Sequence, residues 1–427
     1  MVAALLGLPL AAATPAQASA SNQWPLQLFN ANQAWDVTKG SGATVAELDG
    51  GVASISDTRA ALEGGADFSA GTTSNGNGEK DLDGHGTAMA AIIVGAGNVV
   101  NGLAPSAKLI PVRITNGATA SPDTMAAGIK YAISRHVSVI NISQRVLTND
   151  SNLASAVQAA LDANIVIVAA SGDETQTSID YPAAYPGVVA VGAIDQNKSI
   201  WSNSNTGPQL TLTAPGVSVP TEDNFGDAAT TDGTSASTAY VSATVALIRA
   251  AHPSWTAGQV IRDLITTADP ASGQSAGQRN DQYGYGIVDP LKALQASAPT
   301  ETTNPLLAAS NGSTASAAPS AGATNSTGTS NAAPAKSNTG LIIGIVAAVI
   351  VVILIIVLIV ALSRRNKNRP GGPGGPGGPG VGGPGGGQSY GPYPQQNPYQ
   401  QQNPYQQAPQ QQQYPYPPQN PQQPPGR

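Results

Sequence analysis

The stretch Thr44-Val45-Ala46-Glu47-Leu48-Asp49-Gly50-Gly51 reads as a buried strand that runs into a carboxylate and a glycine turn. Working outward from it, Lys108–Ile114, Val137–Ile142, Ile165–Ala169 and Val188–Ala193 are further short apolar strands. Between them, Thr87–Val94, Thr124–Arg135, Asn152–Asp162 and Thr238–Ala251 have helical spacing or composition. Continuous Val/Ile runs separated by helices predict an α/β fold of three layers, a mainly parallel sheet covered on both faces. In such sheets ligands bind at the carboxyl ends of the strands, and Asp49 stands at one.

The rest of the chain divides by composition. Of 427 residues, 48 are Gly and 34 Pro, and only 10% are charged, so part of the chain is low-complexity and one folded domain is expected, over 21–297. The net charge of −6 and the scattered basic residues give no case for nucleic acid. Cysteine is absent, which excludes disulfides, thiol catalysis and cysteine-ligated zinc. A domain of roughly 270 residues can hold its fold by packing alone.

Two segments point to a membrane. Residues 1–20 contain an apolar run, Val2 to Ala13, and small residues around Ala16-Gln17-Ala18 and Ala18-Ser19-Ala20 that fit a cleavage site. No Lys or Arg precedes Lys39, so the charged start of an export signal is expected upstream of Met1. Residues 341–362 are uninterruptedly apolar and long enough, as a helix, to cross about 30 Å of hydrocarbon. Arg364, Arg365, Lys367 and Arg369 follow this span, which predicts a cell-membrane protein with its domain outside and its tail in the cytoplasm. Residues 298–340, rich in Ala, Ser, Thr, Asn and Gly, read as a stalk. Residues 363–427, with Pro-Gly-Gly repeats and Asn-Pro-Tyr-Gln at 397–400 and 403–406, read as a disordered tail.

Chemistry is carried by three short blocks. Asp83-Gly84-His85-Gly86-Thr87 and Gly233-Thr234-Ser235 each open a helix, and Asp49 ends a strand. A serine hydroxyl needs a neutral imidazole to take its proton, and the imidazole needs a carboxylate to fix its tautomer. Asp49, His85 and Ser235 therefore read as a catalytic triad in one of its known chain orders. The chain has three histidines, and His136 and His252 lack the glycine-flanked setting of His85. The helix start at Ser235 offers amide donors to a developing oxyanion.

The domain resembles the subtilisin-like serine proteases, the subtilases. Beyond the triad blocks the resemblance rests on Gly102-Leu103-Ala104-Pro105-Ser106-Ala107, on Tyr181-Pro182-Ala183-Ala184-Tyr185-Pro186-Gly187 with the strand after it, on Ala214-Pro215-Gly216, and on Gly284-Tyr285-Gly286-Ile287-Val288-Asp289. With the export signal, stalk and single span, it is similar to the mycosins, membrane-anchored subtilases of actinobacterial type VII secretion. The resemblance implies peptide-bond hydrolysis in protein or peptide substrates, no catalytic cofactor, and secretion-system membrane proteins as partners. It leaves structural calcium open, although no loop is dense in carboxylates; Glu79, Asp81 and Asp83 read as a solvated loop.

The resemblance also marks departures. Asp173 stands where an Asn side chain normally donates to the oxyanion beside the Ser235 amide, and an ionised carboxylate cannot donate. Ser143, Gln144, Arg145 and Gly172 fall on substrate-binding positions, where Gln144 and Arg145 replace Leu and Gly. A bulky Arg145 there would crowd the substrate side chain or select acidic and polar ones. Ala236-Ser237-Thr238-Ala239 follows the serine where Met-Ala-x-Pro is usual. Two function classes follow: a membrane-anchored serine endopeptidase, and a weakly active or inactive structural subunit of a membrane secretion complex.

Overall fold

A computed structural model describes residues 23–117 and 119–307. The expected export signal at 1–20, most of the expected stalk at 298–340, the expected span at 341–362 and the expected tail at 363–427 lie outside the described residues. Among the described residues no helix is long and apolar enough to cross a membrane.

The chain enters through two short helices, α1 (Trp24–Leu28) and α2 (Ala31–Val37). It then runs through β1 (Thr44–Asp49), β2 (Ala66–Asp67), α3 (His85–Val94), β3 (Lys108–Arg113), α4 (Pro122–Ser134), β4 (Val139–Ile142), α5 (Ser151–Asp162), β5 (Val166–Ala170) and β6 (Val189–Ile194). After β7 (Leu210–Pro215) come the strands β8 (Val219–Glu222) and β9 (Ala228–Thr231), then α6 (Thr234–Ala251), α7 (Ala257–Thr267) and α8 (Pro290–Gln295). Seven strands form one sheet in the order β2-β3-β1-β4-β5-β6-β7, with all pairs parallel. β8 and β9 make a separate antiparallel pair. The expected three-layer α/β sandwich is what the chain adopts.

Side-chain alternation along the strands makes two cores. Val45, Val139, Val166 and Val168 join α3 and α6 in one; Ala46, Leu48, Ile140, Ile142, Ile167 and Ala169 join α4 and α5 in the other. The central helix α6 is buried along nearly its whole length. Three of its hydroxyls are satisfied inside: Thr238 and Thr244 donate to carbonyls one turn back (2.7 and 2.9 Å), and Ser237 donates to Ala214 O (2.9 Å). It stops at His252, the residue before Pro253, where helical backbone is disfavoured.

The strand order reverses at β1, whose neighbours are β3 on one side and β4 on the other. This switch point is where such sheets open a ligand crevice. Residues 298–307, where a stalk is expected from composition, are hydrogen-bonded to the domain. Gln259 Nε2 donates to Pro299 O (2.7 Å), Thr256 Oγ1 to Thr302 O (2.9 Å), and Asn304 Nδ2 to Gly187 O (2.8 Å). Residues 298–307 thus lie against α7 and the turn before β6, held by backbone carbonyls that composition does not report.

Candidate active site

Asp49, at the end of β1, is completely buried. α3 begins beside it because Gly86 carries no side chain: a Cβ there would stand 2.1 Å from Gly51 O and 3.0 Å from Asp49 Cβ. The close approach brings His85 Nδ1 to 2.9 and 3.0 Å from the two Asp49 carboxylate oxygens. Asp49 Oδ1 also accepts from Gly50 N–H (2.7 Å) and Gln144 Nε2 (2.9 Å). Burial alone would lower the His85 pKa, but Asp49, joined by Asp83 and Asp81, outweighs it and lifts the imidazole to about 9. Asp81 and Asp83 are helix caps as well as charges. Asp81 accepts from Gly84 N, Thr87 N and Thr87 Oγ1, and Asp83 from His85 N, so carboxylates sit on the positive end of α3.

Ser235 lies in the first turn of α6, whose leading amides have no partner within the helix. Its Oγ donates to the main-chain carbonyl of Ser143 (3.1 Å), and Ser143 Oγ donates back to Ser235 O (3.3 Å). The loop after β4 and the start of α6 are thereby locked together. Asp173 reaches the same helix start: its Oδ1 accepts from Thr234 N (2.9 Å) and Thr234 Oγ1 (2.7 Å). Asp173 is exposed at the mouth of the site. Partial desolvation of its carboxyl raises its pKa, while the Thr234 donors and His85 pull it back.

The other expected substrate positions divide. The side chain of Gln144 is buried and turned to Asp49, away from the substrate role expected of it. Arg145 pairs with Glu174 and with Asp180 (3.2 Å), so its charge is answered inside the protein. Gly172, at φ +109°, is fixed by its surroundings, since a Cβ would stand 2.2 Å from Asn205 Nδ2 and 2.5 Å from Asp180 Oδ2. Ser143 is buried and touches Ser235 as described.

Two residues that the sequence reading left as strand positions belong to this site. Glu47 and Asn141 are side by side in the β1–β4 register, and Asn141 Nδ2 donates to Glu47 Oε1 (3.0 Å). A polar pair inside two otherwise aliphatic strands was the available signal. Among the described residues no group of three or more His, Asp or Glu side chains is arranged to hold a metal.

Fold and site together define a serine protease class, and residues 40–286 match the subtilase family profile. The chain belongs to the subtilase family. A thermostable alkaline protease from Halalkalibacterium halodurans is 35% identical over 276 residues, 64% of this chain and 73% of that protein. Subtilisin Savinase from Lederbergia lenta is 36% identical over 253 residues, 58% of this chain and 90% of that protein. Among solved structures, the mycosin MycP1 with its N-terminal propeptide removed is 29% identical, with a TM-score of 0.59, covering 65% of this chain and 98% of that one.

Proposed function

We propose that this chain is a membrane-anchored serine endopeptidase whose domain works outside the cell. The observation that carries the reading is the buried Asp49 carboxylate on His85 Nδ1, at the switch point that also receives Ser235. In the resting site the Ser235 hydroxyl points to Ser143 O; turning it to His85 readies the nucleophile, and such bonds tighten when substrate binds. The Oγ–carbon bond then forms as His85 Nε2 takes the hydroxyl proton. The scissile C–N bond breaks as the same proton passes to the leaving amine. Water repeats the two steps on the ester and frees Ser235. Asp49 holds the tautomer and balances the imidazolium. The Ser235 amide, at the positive end of α6, receives the oxyanion, and Asp173 adds a donor only while protonated.

Ser143 to Arg145 and Gly172 are assigned to the substrate backbone and side chain. With Arg145 neutralised by Glu174 and Asp180, the side chain before the scissile bond is expected to be small and uncharged. No cofactor takes part. The apolar run at 341–362 supplies the anchor and the basic cluster after it the orientation, with the tail inside. Likeness to MycP1 supports a place beside the membrane proteins of a type VII secretion system. A second reading, a peptide-binding subunit without turnover, draws on Asp173 and on the resting direction of Ser235.

Labelling of the purified full-length chain with a fluorophosphonate across pH 5 to 10, beside Ser235→Ala, separates the two. Labelling that vanishes in the variant supports the protease. An unlabelled, folded wild type overturns it in favour of the scaffold. Because His85 must be neutral to act, the labelling rate is expected to climb toward a limb near the imidazole's value of about 9.

A further inference from the structure

Beneath the triad lies a hydrogen-bonded chain that the mechanism above does not use. Glu47 sits two residues before Asp49 on the same face of β1 and is completely buried. Its Oε1 accepts from Asn141, while Oε2 is buried with no hydrogen-bond partner. Asn141 Nδ2 also donates to Ser143 Oγ (2.9 Å), and its Oδ1 accepts from Ser242 Oγ on α6 (2.7 Å). Ser143 completes the chain with its two contacts to Ser235. One amide therefore ties the strand of Asp49, the loop after β4, and the helix of Ser235.

Burying a carboxyl is expensive, and an aliphatic side chain would fill the same strand position at no such cost. Its charged neighbours, Asp49 and Asp81, are acidic as well. Burial first, then the Asp49 charge, holds Glu47 well above the usual carboxylate range. Such a costly group, three hydrogen bonds from the nucleophile's own residue, marks a place where geometry is kept at the expense of stability.

Resting on the reading of Ser235 as nucleophile, we propose that Glu47 is a positioning residue. Through Asn141 and Ser143 its carboxyl fixes where the start of α6, and with it Ser235, stands relative to His85. Misplacing a reacting group by about an ångström costs on the order of a hundredfold in rate.

The test measures the fluorophosphonate inactivation constant, the KM for a peptide substrate and the thermal midpoint of the full-length chain. Glu47→Leu removes the acceptor and is expected to lower the inactivation constant about tenfold to a hundredfold, with KM and the midpoint little changed. Glu47→Gln keeps the acceptor oxygen and is expected to restore the rate to within about threefold of wild type. Adding Ser143→Ala to Glu47→Leu is expected to cost little more, because both act through one chain. A folded Glu47→Leu protein reacting like wild type overturns the proposal, as do losses that multiply in the double variant. If Glu47→Leu does not fold, Glu47→Asp, which withdraws the carboxyl by one methylene, is judged by the same criteria. An unreactive wild type sinks the protease reading and this one with it, whereas reactive variants indifferent to Glu47 sink this one alone.

Discussion

The two faces of the central sheet are built from the same strands and do different work. Toward α4 and α5 the strands present Ala46, Leu48, Ile140, Ile142, Ile167 and Ala169, aliphatic from end to end. Toward α3 and α6 the same strands begin apolar and turn polar as they rise. Val45 is followed by Glu47 and Asp49, and Val139 by Asn141 and Ser143. The period of two allows this separation, because changing one set of alternate residues leaves the other set untouched. One face therefore carries cohesion, and the carboxyl end of the other carries chemistry.

The widest contrast comes from one substitution on each face. Ser235→Ala removes the nucleophile and is expected to lower turnover on the order of a million-fold while leaving the melting midpoint unchanged. Ile167→Ala, in the fully buried α4/α5 core, is expected to lower unfolding free energy by about 2–5 kcal/mol while the folded fraction keeps its rate per site. Denaturant titration and active-site titration of both variants decide the matter. A large rate loss per folded site in Ile167→Ala would break the division between the faces.

A smaller effect tests the open end of the chemical face. Asp173 already accepts from Thr234 through Oδ1, and Asn can keep that bond while its amide points a permanent donor toward the oxyanion. Asp173→Asn is expected to raise kcat by about tenfold to a hundredfold. The gain should be larger at alkaline pH. There the wild-type carboxyl has lost its proton, although desolvation raises its pKa. A kcat unchanged at every pH would place Asp173 in the helix cap alone.

Much of this was legible in the sequence, for definable reasons. The strand ending at Asp49 and the helices opening at His85 and Ser235 were readable because apolar runs and flanking glycines are local signals. The destinations of long polar side chains were not. Arg145 finds Glu174 and Asp180, which are distant in sequence, and Gln144 turns inward to Asp49 where its position suggested substrate. Glu47 was visible only as one acid in an apolar run, since its meaning depends on the register that sets it beside Asn141. The two-residue β2 is too short to show a period, and β7 to β9 are interrupted by Pro or Ala, which strands disfavour, so their pairing is supplied by tertiary neighbours.

The chemical face also holds buried acids that do no chemistry, and these give the finest test of the comparison. β8 lies on α3, where Thr221 Oγ1 donates to Ala88 O (2.7 Å). There the fully buried Glu222 meets Asp57. Asp57 takes the amides of Asn98, Val99 and Val100 (2.7, 2.9 and 3.0 Å), so its charge is needed and Glu222 must bring the proton. Burial, and then Asp57, lift Glu222 to about 9 from an ordinary 4.5. The folded state thus binds a proton that the unfolded state releases. The resulting stability is complete below about pH 4.5 and is lost as pH rises through about 9. Each pH unit within that window costs at most about 1.4 kcal/mol for one proton. His85, also raised to about 9, loses stability in the same direction, so the difference between wild type and Glu222→Gln is what isolates the pair. Gln cannot ionise, and its unfolding free energy is expected to fall less steeply with pH by up to one proton, with labelling of Ser235 unaltered. A labelling rate that followed Glu222 would join this pair to the triad and show that the acids of the chemical face act as one system.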